Sequence, residues 1–129
     1  MSAATDPRKR PIRLYGIPNC DTVKRARAWL AEQGLLHEFV DFKKVGASAT
    51  DLSRWSEAVG WEKLLNRQGT TWRKLDAATQ AQAADAAGAQ RLMQAQVSLI
   101  KRPVVDWPDG VITIGFSPEA WVVRAAVQK

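Results

Sequence analysis

Two β-favouring stretches on either side of one amphipathic helix open the chain, and this order constrains the fold more than any other feature. Residues 12–17 and 38–42 alternate apolar and polar side chains, which is the pattern of half-buried strands. Between them, apolar residues at helical spacing predict a helix over residues 21–33 that ends before Gly34. A strand, a helix and a strand of these lengths predict a β-α-β unit with a parallel strand pair and a right-handed crossover.

The end of the chain predicts a β-hairpin followed by a helix. Residues 103–107 and 111–114 are rich in β-branched side chains, and the Asp-Gly pair between them is a strong hairpin signal. Ser117, followed by proline, supplies an N-cap and a first-turn residue for a helix over residues 119–127. Three residues of this helix are predicted to face the core: Trp121, Val122 and Ala125.

The middle of the chain, residues 48–97, has helical character. Its helical stretches are predicted to run from a cap at Thr50-Asp51 to Val59, over 61–65 and over 76–93. The last stretch is rich in alanine and glutamine and predicts two closely packed helices with a break at Gly88. The complete order, β-α-β, helices and β-β-α, predicts an α/β thioredoxin-like fold with a mixed four-stranded sheet and a helical insertion.

Length and charge limit the classes of protein that fit this chain. Its 129 residues predict one domain, residues 12–128, preceded by a disordered basic tail, residues 1–11. The net charge of +6 is divided between this tail and scattered helix positions, and no nucleic-acid-binding motif accompanies it, so direct nucleic-acid binding is disfavoured. No apolar run is long enough for a signal peptide or a membrane helix, and we therefore expect a soluble cytoplasmic protein.

Cys20 is the only cysteine and lies between the first predicted strand and the helix that follows. A single cysteine cannot form an internal disulfide, and with one histidine, His37, the chain lacks the ligands of a Cys/His zinc site. A helix N-terminus lowers the pKa of a thiol through its unpaired N–H groups and the positive end of its dipole. Cys20 is therefore interpreted as a reactive thiol at a loop, with a buried and inert cysteine as the alternative.

Known cysteine patterns do not supply Cys20 with a partner. A CxxC pair would need a cysteine at Val23, and a phosphatase-type C-x5-R loop would need an arginine at Ala26. His37 is placed at the end of the helix remote from Cys20 and is interpreted as an exposed polar residue rather than a base. What remains is activation of the Cys20 thiol by the field of the helix and by nearby cations. Lys24, one helical turn after Cys20, is a candidate for such a cation, and the alternative is that its side chain is simply solvated.

Three motifs, taken together, resemble the arsenate reductase (ArsC)/Spx-type family. They are YGIPNCDT at 15–22, GTTWRKL at 69–75 and IKRP at 100–103, joined by shorter matches at 60–62, 64–66 and 115–117. The resemblance covers residues 12–127 and is closest to the branch of proposed glutathione-dependent thiol reductases. It implies the thioredoxin-like fold and redox chemistry at a single cysteine.

The resemblance also implies roles for individual residues. Cys20 matches the nucleophile of the family, and Arg102 matches the arginine of an Arg-Pro pair whose cis-proline, here Pro103, lies beside the cysteine. Arg102 would then bind an oxyanion or an anionic partner next to the thiolate. Further candidates for anion binding are Lys24, Arg67 and Asn19. The expected co-substrate is glutathione, with glutaredoxin as a second redox partner, and neither a metal site nor a bound cofactor is implied.

Two departures from the pattern of the family leave three functions open. Arsenate reductases of the family hold the oxyanion with three arginines, and Arg102 matches one of them. At the second position this chain has Asn66, with Arg67 directly after it, and at the third it has Gly115-Phe116. The leading hypothesis is a glutathione-coupled thiol reductase that acts on a mixed disulfide or a small oxyanion, and the alternative is arsenate reduction with glutathione and glutaredoxin. The third is an Spx-like regulator that binds RNA polymerase, without the internal redox switch for which a second cysteine is missing.

Overall fold

A four-stranded mixed sheet organises the computed structural model, which describes residues 11–128. Its strands are β1 (Ile12–Gly16), β2 (His37–Asp41), β3 (Val104–Asp106) and β4 (Ile112–Ile114). They are ordered β2-β1-β3-β4, with β1 parallel to β2, β1 antiparallel to β3, and β3 antiparallel to β4. The α/β thioredoxin-like architecture is therefore confirmed, whereas the predicted tail, apart from Pro11, lies outside the described residues.

The helices of the described chain divide between two compact units. They are α1 (Asp21–Glu32), α2 (Phe42–Val45), α3 (Ala49–Val59), α4 (Trp61–Leu64), α5 (Thr70–Arg73), α6 (Ala77–Ala81), α7 (Ala86–Ala95) and α8 (Pro118–Gln128), and Val97–Leu99 form a 3₁₀ turn. The first unit runs up to Asp41 and resumes at Arg102, so it holds the sheet, α1 and α8. The second unit is Phe42–Lys101 and contains the predicted insertion.

The core of the first unit is built from the sheet, α1 and α8. Its α1 residues are Val23, Ala26 and Leu30, which recur at helical spacing, whereas the apolar Ala31 on the same helix is exposed. Burying each large aliphatic side chain contributes about 1.5–3 kcal/mol to folding. The other members of this core are Ile12, Leu14, Val105, Trp107 and Trp121.

Aromatic rings join α8 to α1 and to the β3–β4 hairpin. Trp121 of α8 meets Trp107 edge-to-face at 5.3 Å between ring centroids and Trp29 of α1 at 5.8 Å. Trp121 and Ala125, one helical turn apart, are both buried and define the inner face of α8. The prediction that Val122 also faces inward is wrong: this side chain is 60% exposed, because the next residue along a helix is turned away from the face of Trp121.

The predicted hairpin is present between β3 and β4. The Trp107 N–H donates to the Val111 carbonyl over 2.9 Å, and the buried indole Nε1 of Trp107 donates to Thr113 Oγ1 over 2.9 Å. Asp109, in the turn, forms a salt bridge of 2.6 Å with Arg124 of α8. The turn is therefore tied to α8 by charge as well as by aromatic packing.

The second strand begins and ends one residue earlier than predicted. β2 pairs His37 with Ile12 and Asp41 with Gly16, so Phe42 is not part of it. Phe42 begins α2 instead and is buried, with its ring 5.9 Å from that of Trp55 in an edge-to-face contact. Packing within the second unit thus decides the conformation of a residue that has high β propensity.

Backbone pairing holds together the two ends of the segment that forms most of the second unit. Leu65 and Ile100 form an isolated antiparallel bridge. The Asn66 N–H donates to the Leu99 carbonyl over 2.7 Å, and the Lys101 N–H donates to the Leu64 carbonyl over 2.8 Å. Leu64, Leu65, Leu99 and Ile100 are all buried, so apolar packing accompanies these hydrogen bonds.

The cap of α3 and the break in the alanine-rich stretch differ from the sequence prediction. The N-cap of α3 is Ser48 rather than Thr50-Asp51, because Ser48 Oγ accepts the Asp51 N–H over 3.0 Å. The break in the alanine-rich stretch falls at residues 82–85, and Gly88 lies inside α7. A Cβ at Gly88 would lie 1.8 Å from the Gln82 carbonyl oxygen, so this glycine permits a close backbone approach rather than a helix break.

Candidate active site

Cys20 lies where the chain passes from β1 into α1. Residues 18–19 form a turn after β1, and Cys20 is the N-cap of α1 with extended backbone angles (φ −122°, ψ 123°). Its carbonyl accepts the first helical hydrogen bond, from the Lys24 N–H over 2.9 Å, while its sulfur does not reach the geometry of a full capping bond. The thiol is half-buried against the core of the first unit, so it is neither fully buried nor fully solvated.

The pKa of the Cys20 thiol lies below its ordinary value. Burial raises this pKa, because it penalises the charged thiolate. The burial effect is outweighed by the backbone N–H groups of Val23 and Thr22 in the first turn of α1 and by the guanidinium of Arg102, which donates a hydrogen bond and adds a positive charge. These donors therefore stabilise the thiolate, the nucleophilic form of cysteine, relative to that of a free cysteine.

Arg102 and Pro103 occupy the segment that leads into β3. The peptide bond between them is cis, as the resemblance implied. Pro103 is buried, and Arg102 is half-buried with its guanidinium directed to the Cys20 sulfur. Because β3 is hydrogen-bonded to β1, the segment before β3 reaches the end of β1 from which the chain turns to Cys20.

Gly115 and Phe116, where the sequence predicted only the absence of an oxyanion-binding arginine, make contacts that the sequence did not predict. The Gly115 N–H donates to the Pro103 carbonyl over 2.9 Å. The ring of Phe116 packs at 4.8 Å from that of Trp121 and at 6.4 Å from that of Trp29. The sequence signal that could have indicated this role is a glycine directly between a strand and an aromatic residue ahead of a helix cap.

The remaining candidates of the first unit are placed differently around the thiol. Asn19 is exposed in the turn directly before Cys20, and Lys24 is exposed on the first turn of α1. His37 pairs with Ile12, at the opposite end of β1 from Cys20, and its ring Nδ1 is 3.4 Å from the Leu35 carbonyl. This position does not suit His37 to act as a base for the thiol.

Arg67 belongs to the second unit and lies between two indole rings. Its guanidinium carbon is 5.5 Å from the ring centroid of Trp61 and 5.9 Å from that of Trp72, which is cation–π geometry. The preceding residue, Asn66, turns its side chain back on its own loop, where Oδ1 accepts the Gln68 N–H over 3.0 Å. Arg67 thus has a packing role within its own unit, and its predicted anion binding stays a prediction.

The arrangement suits a nucleophile that is stabilised by donors rather than activated by a base. Arg102 presents a planar guanidinium that can hold a thiolate, a carboxylate or an oxyanion beside the sulfur. Across residues 11–128, no group of three His, Cys, Asp or Glu side chains comes together in a way that could hold a metal ion. Within the same residues, no helix is both long enough and apolar enough to cross a membrane.

The chain is similar to known proteins both in sequence and in structure. Residues 15–123 match the model of the ArsC family. The solved structure of a YFFB protein is 47% identical, covers 87% of this chain and 96% of its own, and superposes with a TM-score of 0.82. An arsenate reductase (ArsC) related protein from Brucella melitensis is 45% identical, with 89% and 94% of the two chains covered and a TM-score of 0.70. An uncharacterized protein from Haemophilus influenzae is 36% identical over 110 residues, 85% of this chain and 95% of its own length.

Proposed function

Because this chain belongs to the ArsC family, we propose that it is a thiol-based reductase in which Cys20 is the nucleophile and glutathione is the co-substrate. The family match and the arsenate reductase-related neighbour support thiol-based reduction. One observation carries the choice of nucleophile: Cys20 lies at the N-terminus of α1 beside Arg102, and both features lower the pKa of its thiol.

The proposed reaction consists of two thiol–disulfide exchanges. The Cys20 thiolate attacks the glutathione sulfur of a mixed disulfide, so a Cys20–glutathione disulfide forms while the substrate leaves as a thiolate that takes up a proton. A second glutathione, as thiolate, then attacks the glutathione sulfur of this adduct and releases the Cys20 thiolate and oxidised glutathione. The net reaction converts the mixed disulfide and one reduced glutathione into the free substrate thiol and oxidised glutathione, because the first glutathionyl group comes from the substrate itself.

The dependence on an external thiol follows from the chain itself. Cys20 has no second cysteine that could resolve the adduct internally. Glutathione is an anion with two carboxylates, and the guanidinium of Arg102 and the exposed ammonium of Lys24 are cations on the segments that surround Cys20. The reducing cytoplasm, where thiols are kept reduced, is the compartment that we propose for this chemistry.

Arsenate reduction is the second candidate, because the Brucella melitensis neighbour is described as related to arsenate reductase. In that reaction Cys20 would attack arsenate while Arg102 holds the oxyanion, so that a Cys20–arsenic bond forms and water leaves. The thiolate of glutathione would then attack the arsenic-bound sulfur: a Cys20–glutathione disulfide forms, the sulfur–arsenic bond breaks, and its electron pair leaves with arsenic as arsenite. At Gly115-Phe116 the chain offers a backbone N–H already bonded to Pro103 and an aromatic ring, but no cation. We therefore rank a thiol-derived substrate above arsenate.

Intact-mass measurement after incubation with oxidised glutathione tests the proposal directly. We expect one glutathione adduct on the native chain, none on Cys20→Ser, and removal of the adduct by reduced glutathione. Turnover is then measured in parallel on two substrates: a small glutathione mixed disulfide with glutathione only, because glutaredoxin itself reduces such disulfides, and arsenate with glutathione and glutaredoxin. An adduct or turnover that persists in Cys20→Ser contradicts the assigned nucleophile, and a native chain that forms no adduct and turns over neither substrate contradicts the enzyme assignment.

A further inference from the structure

A backbone hydrogen bond joins the segment that carries Arg102 to the end of β4. The Gly115 N–H donates to the Pro103 carbonyl over 2.9 Å. This bond lies one residue beyond the pairing of Val104 with Ile114 and so extends the β3–β4 ladder to the residue next to Arg102. The backbone that follows Arg102 is therefore held from the β4 side.

Gly115 makes this bond in a conformation that other residues rarely adopt. Its φ is +79°, and a Cβ built on it would meet no atom within 4 Å, so the backbone angle and not the space requires glycine. The residues on both sides are anchored: Ile114 lies in the sheet, and Phe116 packs against Trp121 and Trp29. Gly115 is thus the point where the chain turns from the ladder toward the aromatic rings.

Gly115 and Phe116 each contact one of the two elements that form the thiol site, which consists of the Cys20 sulfur and the Arg102 guanidinium. Phe116 contacts Trp29, which lies on α1, the helix that begins at Cys20. Gly115 contacts Pro103, the residue after Arg102. The connection from β4 to α8 therefore touches the helix that carries the thiol and the segment that carries the guanidinium.

We propose that Gly115 is a positioning residue for the thiol site: by holding the Pro103 carbonyl, it keeps the Arg102 guanidinium against the Cys20 sulfur. The inference deepens the proposed function and rests on it, because it concerns the thiol–guanidinium pair that the reaction uses. A Cβ at position 115 would drive φ to negative values and turn the N–H away from Pro103. The Arg102 segment would then lose a tether on its β4 side.

Gly110 provides a matched control for a substitution at Gly115. It also has a positive φ, +90°, and a Cβ there would also meet no atom within 4 Å. Its N–H, however, donates to the Trp107 carbonyl at the tip of the hairpin, at the other end of β4 from Gly115. Alanine carries the same kind of backbone penalty at both positions, but only position 115 is bonded next to Arg102.

The first test is the pH profile of Cys20 alkylation by iodoacetamide in Gly115→Ala, Gly110→Ala and Gly115→Asn. We expect Gly115→Ala to move the profile to higher pH and to slow alkylation at neutral pH by roughly threefold, a modest change on the thiolate scale. We expect Gly110→Ala to keep the native profile, and Gly115→Asn to lie close to it, because asparagine tolerates positive φ. A native profile in Gly115→Ala, or an equal displacement in Gly110→Ala, would overturn the inference.

A second measurement needs no variant at position 115. In the native chain, the amide chemical shift of Gly115 is followed by NMR while Cys20 is titrated. We expect the chemical shift of the Gly115 amide to change with the same midpoint pH as the titration of the Cys20 thiol. The chemical shift of the Gly110 amide should not change, and the change at Gly115 should be absent in Cys20→Ser. A Gly115 amide that stays flat through the titration would overturn the inference. Neither measurement contains a disulfide substrate, so failure of the proposed reductase activity would be seen separately, in the adduct and turnover assays.

Discussion

The Arg102 guanidinium donates a hydrogen bond to the Cys20 sulfur, although the two residues are placed by different parts of the chain. Cys20 is fixed by the start of α1, whereas Arg102 is fixed by the entry into β3. The antiparallel pairing of β1 with β3 brings the two together, because the end of β1 lies beside the beginning of β3. Strand pairing thereby forms a pair in which the guanidinium stabilises the thiolate.

Removal of the guanidinium is expected to raise the pKa of Cys20. Arg102→Ala loses both the hydrogen bond and the positive charge that favour the thiolate. Arg102→Lys keeps the charge but loses the planar guanidinium, so its Cys20 pKa should lie between those of the native chain and Arg102→Ala. The measurement is the pH profile of alkylation, read together with the rate of glutathione adduct formation. Lys101→Ala is the matched control, because Lys101 is an exposed cation directly beside Arg102. A native profile in Arg102→Ala would leave the end of α1 as the sole cause of the lowered pKa.

The Asp109–Arg124 ion pair is expected to make stability depend on pH in the acid range. The hydrogen bond from Arg124 lowers the pKa of Asp109, with a smaller opposing effect of burial, so the native state binds its proton less readily than the unfolded chain. Its stabilising contribution is therefore full above the unfolded pKa of about 3.9 and is lost as the pH falls through the lower native pKa.

A comparison with Asp109→Asn isolates this contribution. Asparagine keeps an oxygen for the Val111 N–H, which Asp109 accepts over 3.3 Å, but loses the charge that pairs with Arg124. At neutral pH we expect the variant to be less stable by about 0.5–1 kcal/mol, since both partners are partly exposed. Urea unfolding measures the difference, which should shrink toward zero as the pH falls through the lowered native pKa of Asp109. A difference that does not change with pH would assign the effect to the turn instead of the ion pair.

Thr113 is expected to contribute stability through one hydroxyl. Its Oγ1 accepts the indole N–H of Trp107, a residue only 2% exposed, so Thr113→Val would leave a buried donor without its partner. We expect a loss of about 1–3 kcal/mol in the free energy of unfolding, measured by urea titration with tryptophan fluorescence. Thr113→Ser retains the hydroxyl and should recover most of that loss. Equal stabilities of the valine and serine variants would contradict the assigned hydrogen bond.

Gly88→Ala is expected to destabilise the second unit, although alanine is the better helix former. At an exposed helix position the same exchange would stabilise by about 1 kcal/mol. Inside α7 the new Cβ would instead lie 1.8 Å from the Gln82 carbonyl oxygen, so the backbone at residues 82–85 must move. We expect a loss of about 2 kcal/mol or more, seen in thermal and urea unfolding. A more stable Gly88→Ala chain would show that α7 and the preceding turn are not in this close contact.

Local patterns in the sequence determined most of the elements. Alternating side chains marked β1, the Asp-Gly pair marked the β3–β4 hairpin, and Ser117 with its proline marked the start of α8, because strand pairing, turns and caps depend on near neighbours. The placement of Cys20 at a helix N-terminus was predicted in the same way. The approach of Arg102 to the thiol came only through the family resemblance, since no local pattern relates the two residues.

The sequence by itself therefore determined a thioredoxin-like order of strands and helices with one cysteine at the first helix. The tertiary structure alone decided that Phe42 enters a helix, that Gly88 lies inside one, that Val122 is exposed and that Arg67 packs between Trp61 and Trp72. It also decided that Gly115 holds the segment of Arg102. The physical reason is the same in each case: propensity and periodicity act over a few residues, whereas burial, close backbone approach and charge pairing depend on which distant residues the fold brings into contact.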